Sequence, residues 1–127
     1  MSQPKTILMI EDEPDLRRSV SAYLEDSGYV VLQAGDGRAG VELFTARKPD
    51  LVLTDLRMPE LNGVEVVTRV KQASPGTPVI VLTGTGDQDA QAEALRRGAQ
   101  VCLVKPIKDL AALETAIAQA LAETSSS

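Results

Sequence analysis

The chain has 127 residues, a net charge of −5 and 43% hydrophobic residues, which fits one compact domain and excludes a disordered acidic segment. The negative charge argues against direct nucleic-acid binding, and no apolar run approaches the length of a membrane span. The single cysteine, Cys102, cannot form an internal disulfide, so a reducing, cytoplasmic setting with no secretory leader is the expectation.

Residues 1–4 read as a short lead. Thr6 to Ile10 is an unbroken apolar run of strand length that ends in Glu11-Asp12-Glu13-Pro14. Pro14 suits the first turn of a helix, where its missing N–H costs nothing. Leu16, Val20 and Leu24 then recur at helical spacing until Gly28. Val30 to Leu32 is a second strand, and Asp36-Gly37 opens a helix carrying Val41, Leu43 and Phe44 that Pro49 ends. Leu51 to Thr54 runs straight into Asp55, followed by Leu56-Arg57-Met58-Pro59.

After Asn62-Gly63, the spacing of Val66, Val67 and Val70 predicts a third helix, broken by Ser74-Pro75-Gly76-Thr77-Pro78. Val79 to Thr83 is a fourth strand. The helix after it, about 88–97, has Leu95 as nearly its only large apolar residue, so it is expected to be the least firmly packed. Val101 to Val104 is a fifth strand closed by Lys105-Pro106. Leu110, Leu113, Ile117 and Leu121 form the stripe of a last helix. Residues 1–123 therefore read as one domain, and 124–127 as a Ser-rich tail or linker.

Five strand–helix pairs, with strands apolar at consecutive positions, predict an α/β fold: a parallel sheet covered by helices on both faces. Strand order is not legible from the residues. With the order 2-1-3-4-5, the carboxyl ends of the first, third, fourth and fifth strands would meet in one pocket. Those ends carry Glu11-Asp12, Asp55, Thr83 and Lys105. Three carboxylates in one pocket repel one another unless a cation neutralises them, and an all-oxygen set suits Mg²⁺ rather than zinc. The chain has no histidine, which leaves zinc or Ser-His-Asp chemistry little to work with. One carboxylate could act as a nucleophile toward a phosphoryl group, with Mg²⁺ and a lysine offsetting charge and a threonine hydroxyl binding a phosphoryl oxygen.

The stretches Ile10-Glu11-Asp12-Glu13-Pro14-Asp15, Asp55-Leu56-Arg57-Met58-Pro59, Asn62-Gly63, Thr83-Gly84 and Lys105-Pro106 together resemble the receiver (CheY-like) domain of two-component response regulators. The resemblance covers about residues 5 to 122. It implies a flavodoxin-like three-layer sandwich with a five-stranded parallel sheet in the order 2-1-3-4-5. It also implies that Asp55 accepts a phosphoryl group from a histidine kinase or histidine phosphotransfer protein. Mg²⁺ would be bound by Glu11, Asp12, Asp55 and the backbone carbonyl of Arg57, with Thr83 and Lys105 contacting the phosphoryl group. The bond before Pro106 is expected to be cis.

The family often carries Tyr or Phe where this chain has Cys102, so the usual aromatic part of the switch is missing here. The first acidic pair is Glu-Asp rather than Asp-Asp. The resemblance places the output surface on the helix after Gly86, the fifth strand and the last helix. It leaves open the output domain or protein and whether the chain is a monomer or a phosphorylation-dependent dimer.

Three other readings compete. An aspartate-nucleophile phosphatase would want a second carboxylate two residues past Asp55, where Arg57 stands. A flavin-binding protein of this topology would want hydroxyls after the first strand and aromatics to stack on the ring. A docking receiver without phosphotransfer would have no need of the five polar residues.

Overall fold

A strand whose successive residues are all apolar buries both of its faces, and so needs helices above and below. The computed structural model describes residues 3–58, 61–84, 86–105 and 109–125, and it provides that cover. The elements alternate along the chain as β1 (Thr6–Ile10), α1 (Pro14–Asp26), β2 (Val30–Ala34), α2 (Gly37–Arg47), β3 (Leu51–Asp55), α3 (Gly63–Ala73), β4 (Val79–Thr83), α4 (Gln88–Arg96), β5 (Val101–Val104) and α5 (Leu110–Ser125). All neighbouring strands are parallel, and the sheet order is β2-β1-β3-β4-β5. This is the flavodoxin-like sandwich expected from the sequence.

The two-residue period of the strands sorts the core into two layers. Ile7, Met9, Leu51, Leu53, Ile80 and Leu82 pack with Val20 and Leu24 of α1 and Leu113, Ile117 and Leu121 of α5. Leu8, Ile10, Val52, Val79 and Val81 pack on the other side with Phe44 of α2, Val66, Val67 and Val70 of α3, and Ala94 of α4. A fully buried side chain of this size contributes about 1.5–3 kcal/mol. The three central strands are thus the rigid frame that holds whatever extends beyond their ends.

Three elements differ from the sequence reading. β2 extends through Gln33 and Ala34, paired with Met9 and Ile10. It is an edge strand that exposes Val30 and Gln33, so its apolar run understates its length. α5 continues to Ser125, two residues into the expected tail, because neither Gly nor Pro interrupts Leu121 to Ser125. Ser126 and Ser127 lie outside the described residues.

In α4 the inward residue is Ala94, fully buried, whereas Leu95 is 47% exposed. The helix follows the small inner stripe of Ala90 and Ala94, four residues apart, and Leu95 falls a further 100° round. One buried methyl cannot match the three buried valines of α3, so α4 is the weakly anchored helix, and more so than Leu95 alone suggested.

Helix starts are set by side chains. The Glu13 carboxylate accepts from the N–H groups of Asp15 and Leu16, with Pro14 in the first turn. Asp36 accepts from Ala39 N–H at the start of α2. Asn62 and Glu65 form a reciprocal capping box on α3. Asp87, at the corresponding position of α4, makes no side-chain cap bond.

Candidate functional site

Strand register decides which ends coincide. Ile10 lies opposite Thr54, Asp55 opposite Leu82, and Thr83 opposite Val104. Glu11, Asp55, Thr83 and Lys105 therefore leave the sheet at one edge. Glu11, Asp12 and Asp55 each bring a carboxylate oxygen to within 4.8 Å of the others. Lys105 Nζ closes the group, 2.9 Å from Glu11 Oε1 and 3.1 Å from Asp55 Oδ2.

The supporting bonds leave these side chains little freedom. Asp55 Oδ1 accepts from the Leu56 N–H at 3.0 Å, and Glu11 Oε2 accepts from the Glu13 N–H at 3.1 Å. The Lys105 N–H donates to the Thr83 carbonyl at 2.7 Å, which ties the lysine's backbone to the end of β4. Arg17, one turn into α1, donates from Nη1 to the Glu11 carbonyl at 2.8 Å.

Gly63 is wedged beneath the site. Its N–H donates to Leu56 O, and a Cβ there would stand 2.5 Å from the Asp55 carbonyl oxygen and 2.8 Å from Leu56 Cα. Only glycine lets α3 begin this close to the Asp55 backbone.

The electrostatics are those of a crowded acidic cleft. The Glu11 side chain is 1% exposed, and burial pushes its pKa up to about 7, against the pull of its hydrogen bonds to Lys105 and the Glu13 N–H. Asp55 adds to the rise by repulsion. Burial works against the charge of Lys105 too, but its bonds to Glu11 and Asp55 outweigh that and raise its pKa. One ammonium thus serves two buried carboxylates, with exposed Asp12 at the rim. Three carboxylates, all oxygen donors, one of them open to solvent, form a set that fits a hard divalent cation keeping part of its water shell.

The other predicted residues stand around this centre. Thr83 is buried, and its hydroxyl donates to the Gly84 carbonyl at 3.2 Å. The Arg57 guanidinium is turned outward onto Asp87, with Nε 2.8 Å from Oδ1 and Nη2 on the same oxygen. This bond, and less strongly the Thr83 hydroxyl, holds the Asp87 carboxyl below its ordinary value. Arg57 occupies the place of a phosphatase's second carboxylate and carries no acid there. Cys102 is half-buried against the α4 layer, its Sγ 3.8 Å from the Gln91 carbonyl. Burial pushes the thiol's pKa up, so the side chain at this position is small and neutral. Pro106, with its expected cis bond, lies outside the described residues.

A family profile of the response regulator receiver domain matches residues 7–118. The chain belongs to that family. It is 35% identical over 113 residues to the Regulator of RpoS of Escherichia coli K12, covering 87% of this chain and 34% of that protein. It is 38% identical over 98 residues to the Regulatory protein LuxO of Vibrio cholerae, covering 77% of this chain and 22% of that one. Among solved structures, a response regulator receiver domain protein from Clostridium thermocellum superposes with a TM-score of 0.91 at 34% identity, covering 95% of this chain and 97% of that one.

The chain spans about a third or less of the length of these curated relatives. As a receiver domain of response regulators, it is a signal-transduction module. Three residues of this receiver were not read from the sequence as parts of its site: Arg17, Asp87 and the wedge Gly63. The Asn62-Gly63 pair was legible as a motif, but its closeness to Asp55 is a fact of the fold. Asp87 has the position of a helix cap, but its side chain makes no cap bond.

Proposed function

We propose that this receiver takes a phosphoryl group onto Asp55 from a histidine kinase or a histidine phosphotransfer protein, and thereby changes its partner surface. The observation that carries this reading is the placement of the Asp55 carboxylate at the open end of the sheet, held by Lys105 at 3.1 Å and flanked by Glu11 and Asp12. An Asp55 oxygen forms the new P–O bond as the P–N bond to the donor imidazole breaks. The leaving imidazole takes its proton from solvent.

Glu11, Asp12, Asp55 and the Arg57 backbone carbonyl are the ligands for Mg²⁺, which when bound neutralises phosphoryl and carboxylate charge. Lys105 is already within reach of Asp55 and contributes a second positive charge without moving far. Thr83 turns its hydroxyl from the Gly84 carbonyl to a phosphoryl oxygen and carries the start of the β4–α4 loop inward. The weakly anchored α4 is the element that responds, which biases an existing equilibrium.

The face formed by α4, β5 and α5 exposes Leu95 and Val104, 47% and 50% accessible, and is the proposed contact for an output domain or protein. Relatives named as a transcriptional regulatory protein, GlrR of Escherichia coli K12, and as LuxO support a regulatory output.

The test is a titration with Mg²⁺ and beryllofluoride, a phosphoryl mimic, followed by amide NMR. Shifts at Asp55, Thr83 and Lys105 that need both reagents, and that spread into residues 86–104, are expected. Shifts that occur without Mg²⁺, or none beyond residue 83, would refute the reading.

A further inference from the structure

Asp87 stands where α1, α2 and α3 have a capping side chain, yet it caps nothing. Its neighbours explain why. Its Oδ1 accepts from both Nε and Nη2 of Arg57, and its side chain is only 12% exposed although Arg57's is 76% exposed. The backbone at Asp87 has φ −96° and ψ 37°. The capping residues of α1, α2 and α3 are extended instead, with ψ of 111°, 170° and 175°. The carboxylate is therefore drawn sideways, away from the first-turn N–H groups of α4 and toward the loop that follows Asp55. One ion pair joins the residue two past Asp55 to the residue just before the least anchored helix.

We propose that Asp87 is a two-position carboxylate: bound to Arg57 in the resting receiver, and moved onto the free N–H groups of Asp89 and Ala90 as the cap of α4 in the phosphorylated one. The inference rests on Asp55 as the phosphoacceptor. Both restraints on Asp87 adjoin that residue. The Arg57 guanidinium is attracted by new negative charge on Asp55, and the inward turn of Thr83, whose hydroxyl also favours the charged Asp87 carboxylate, moves the start of the loop that carries Asp87. Loss of the first partner frees the carboxylate, and the second movement changes the backbone that aims it. Capping replaces an ion pair whose arginine is exposed with a bond that organises the first turn of α4. Asp87 is thus a positioning residue that couples the site to α4, in a chain where Cys102 offers no aromatic to do so.

The test compares Arg57→Gln, Asp87→Asn and Asp87→Ala with the wild type by amide NMR and hydrogen exchange, without phosphoryl donor and then with Mg²⁺ and beryllofluoride. Arg57→Gln keeps the backbone carbonyl and frees Asp87. In the resting protein it is expected to slow exchange at Asp89 and Ala90 by about three- to tenfold and to move their shifts toward the wild type's beryllofluoride state. Asp87→Asn, which still caps but pairs poorly with arginine, moves them the same way. Asp87→Ala, which can do neither, leaves both amides fast with or without beryllofluoride.

Unchanged resting amides in Arg57→Gln, or identical behaviour of the Asn and Ala variants, would overturn the proposal. The resting comparison needs no phosphoryl group. A wild type that ignores beryllofluoride would therefore sink the phosphoacceptor reading separately, leaving the ion pair and its release to be judged on the variants alone.

Discussion

Glu11→Gln in metal-free buffer is predicted to stabilise the receiver, and to do so more as pH rises. The folded protein holds Glu11 at a pKa of about 7 against an ordinary 4.5, chiefly because burial disfavours the charged form. Between those values the folded state binds more protons than the unfolded state, so stability falls as pH rises through that window and stays reduced above it. The full rise corresponds to roughly 3 kcal/mol above pH 7.

Glutamine, like the protonated acid, is neutral and keeps an oxygen for Lys105, and the charged bond it gives up is already counted in that pKa. The net gain is therefore about 3 kcal/mol at pH 8, which in a domain of this size raises Tm by about 10 °C or more. It shrinks toward zero below about pH 4, where Glu11 is protonated in both states. Thermal or urea unfolding in EDTA at pH 5, 6, 7 and 8 reads the effect. A variant no more stable than wild type at pH 8, or a difference that does not change with pH, would refute the reasoning.

Three further outcomes follow from the same geometry. Lys105→Ala leaves Glu11 and Asp55 facing each other without a cation, and is expected to cost about 2–4 kcal/mol at pH 8 and less at pH 5, by urea unfolding. Gly63→Ala forces a methyl against the Asp55 backbone and should cost at least about 2 kcal/mol, with amide shifts at Asp55 and Leu56 in whatever folded protein remains. Leu95→Ser should change stability by less than about 0.5 kcal/mol, while Ala94→Ser, at the buried position beside it, costs about 1–3 kcal/mol; equal effects would show that α4 is rotated from the orientation described.

Much of this was legible because consecutive apolar runs have one stable arrangement once five of them alternate with helices. The runs at Ile7, Leu51 and Val79 are fully buried, as unbroken hydrophobicity requires. The residues at their ends needed only a strand order to become a pocket. What escaped was set by packing rather than by pattern. In α4 the largest apolar residue faces out and an alanine faces in. Asp87 looks like a cap in the sequence, but Arg57, thirty residues away, claims it. Gly63 could be seen as a helix start, yet its contact with Asp55 depends on how α3 leaves the sheet. Long-range contacts of this kind leave no periodic trace in a single sequence.

The central claim is that Asp55 accepts the phosphoryl group, and intact mass tests it most directly. Wild type and Asp55→Ala are incubated with acetyl phosphate, with and without Mg²⁺, and separately with a phosphorylated histidine phosphotransfer protein. A single phosphoryl adduct that needs Mg²⁺ and is absent from the variant is predicted. An adduct that persists in Asp55→Ala, or a wild type unmodified by either donor, would contradict it.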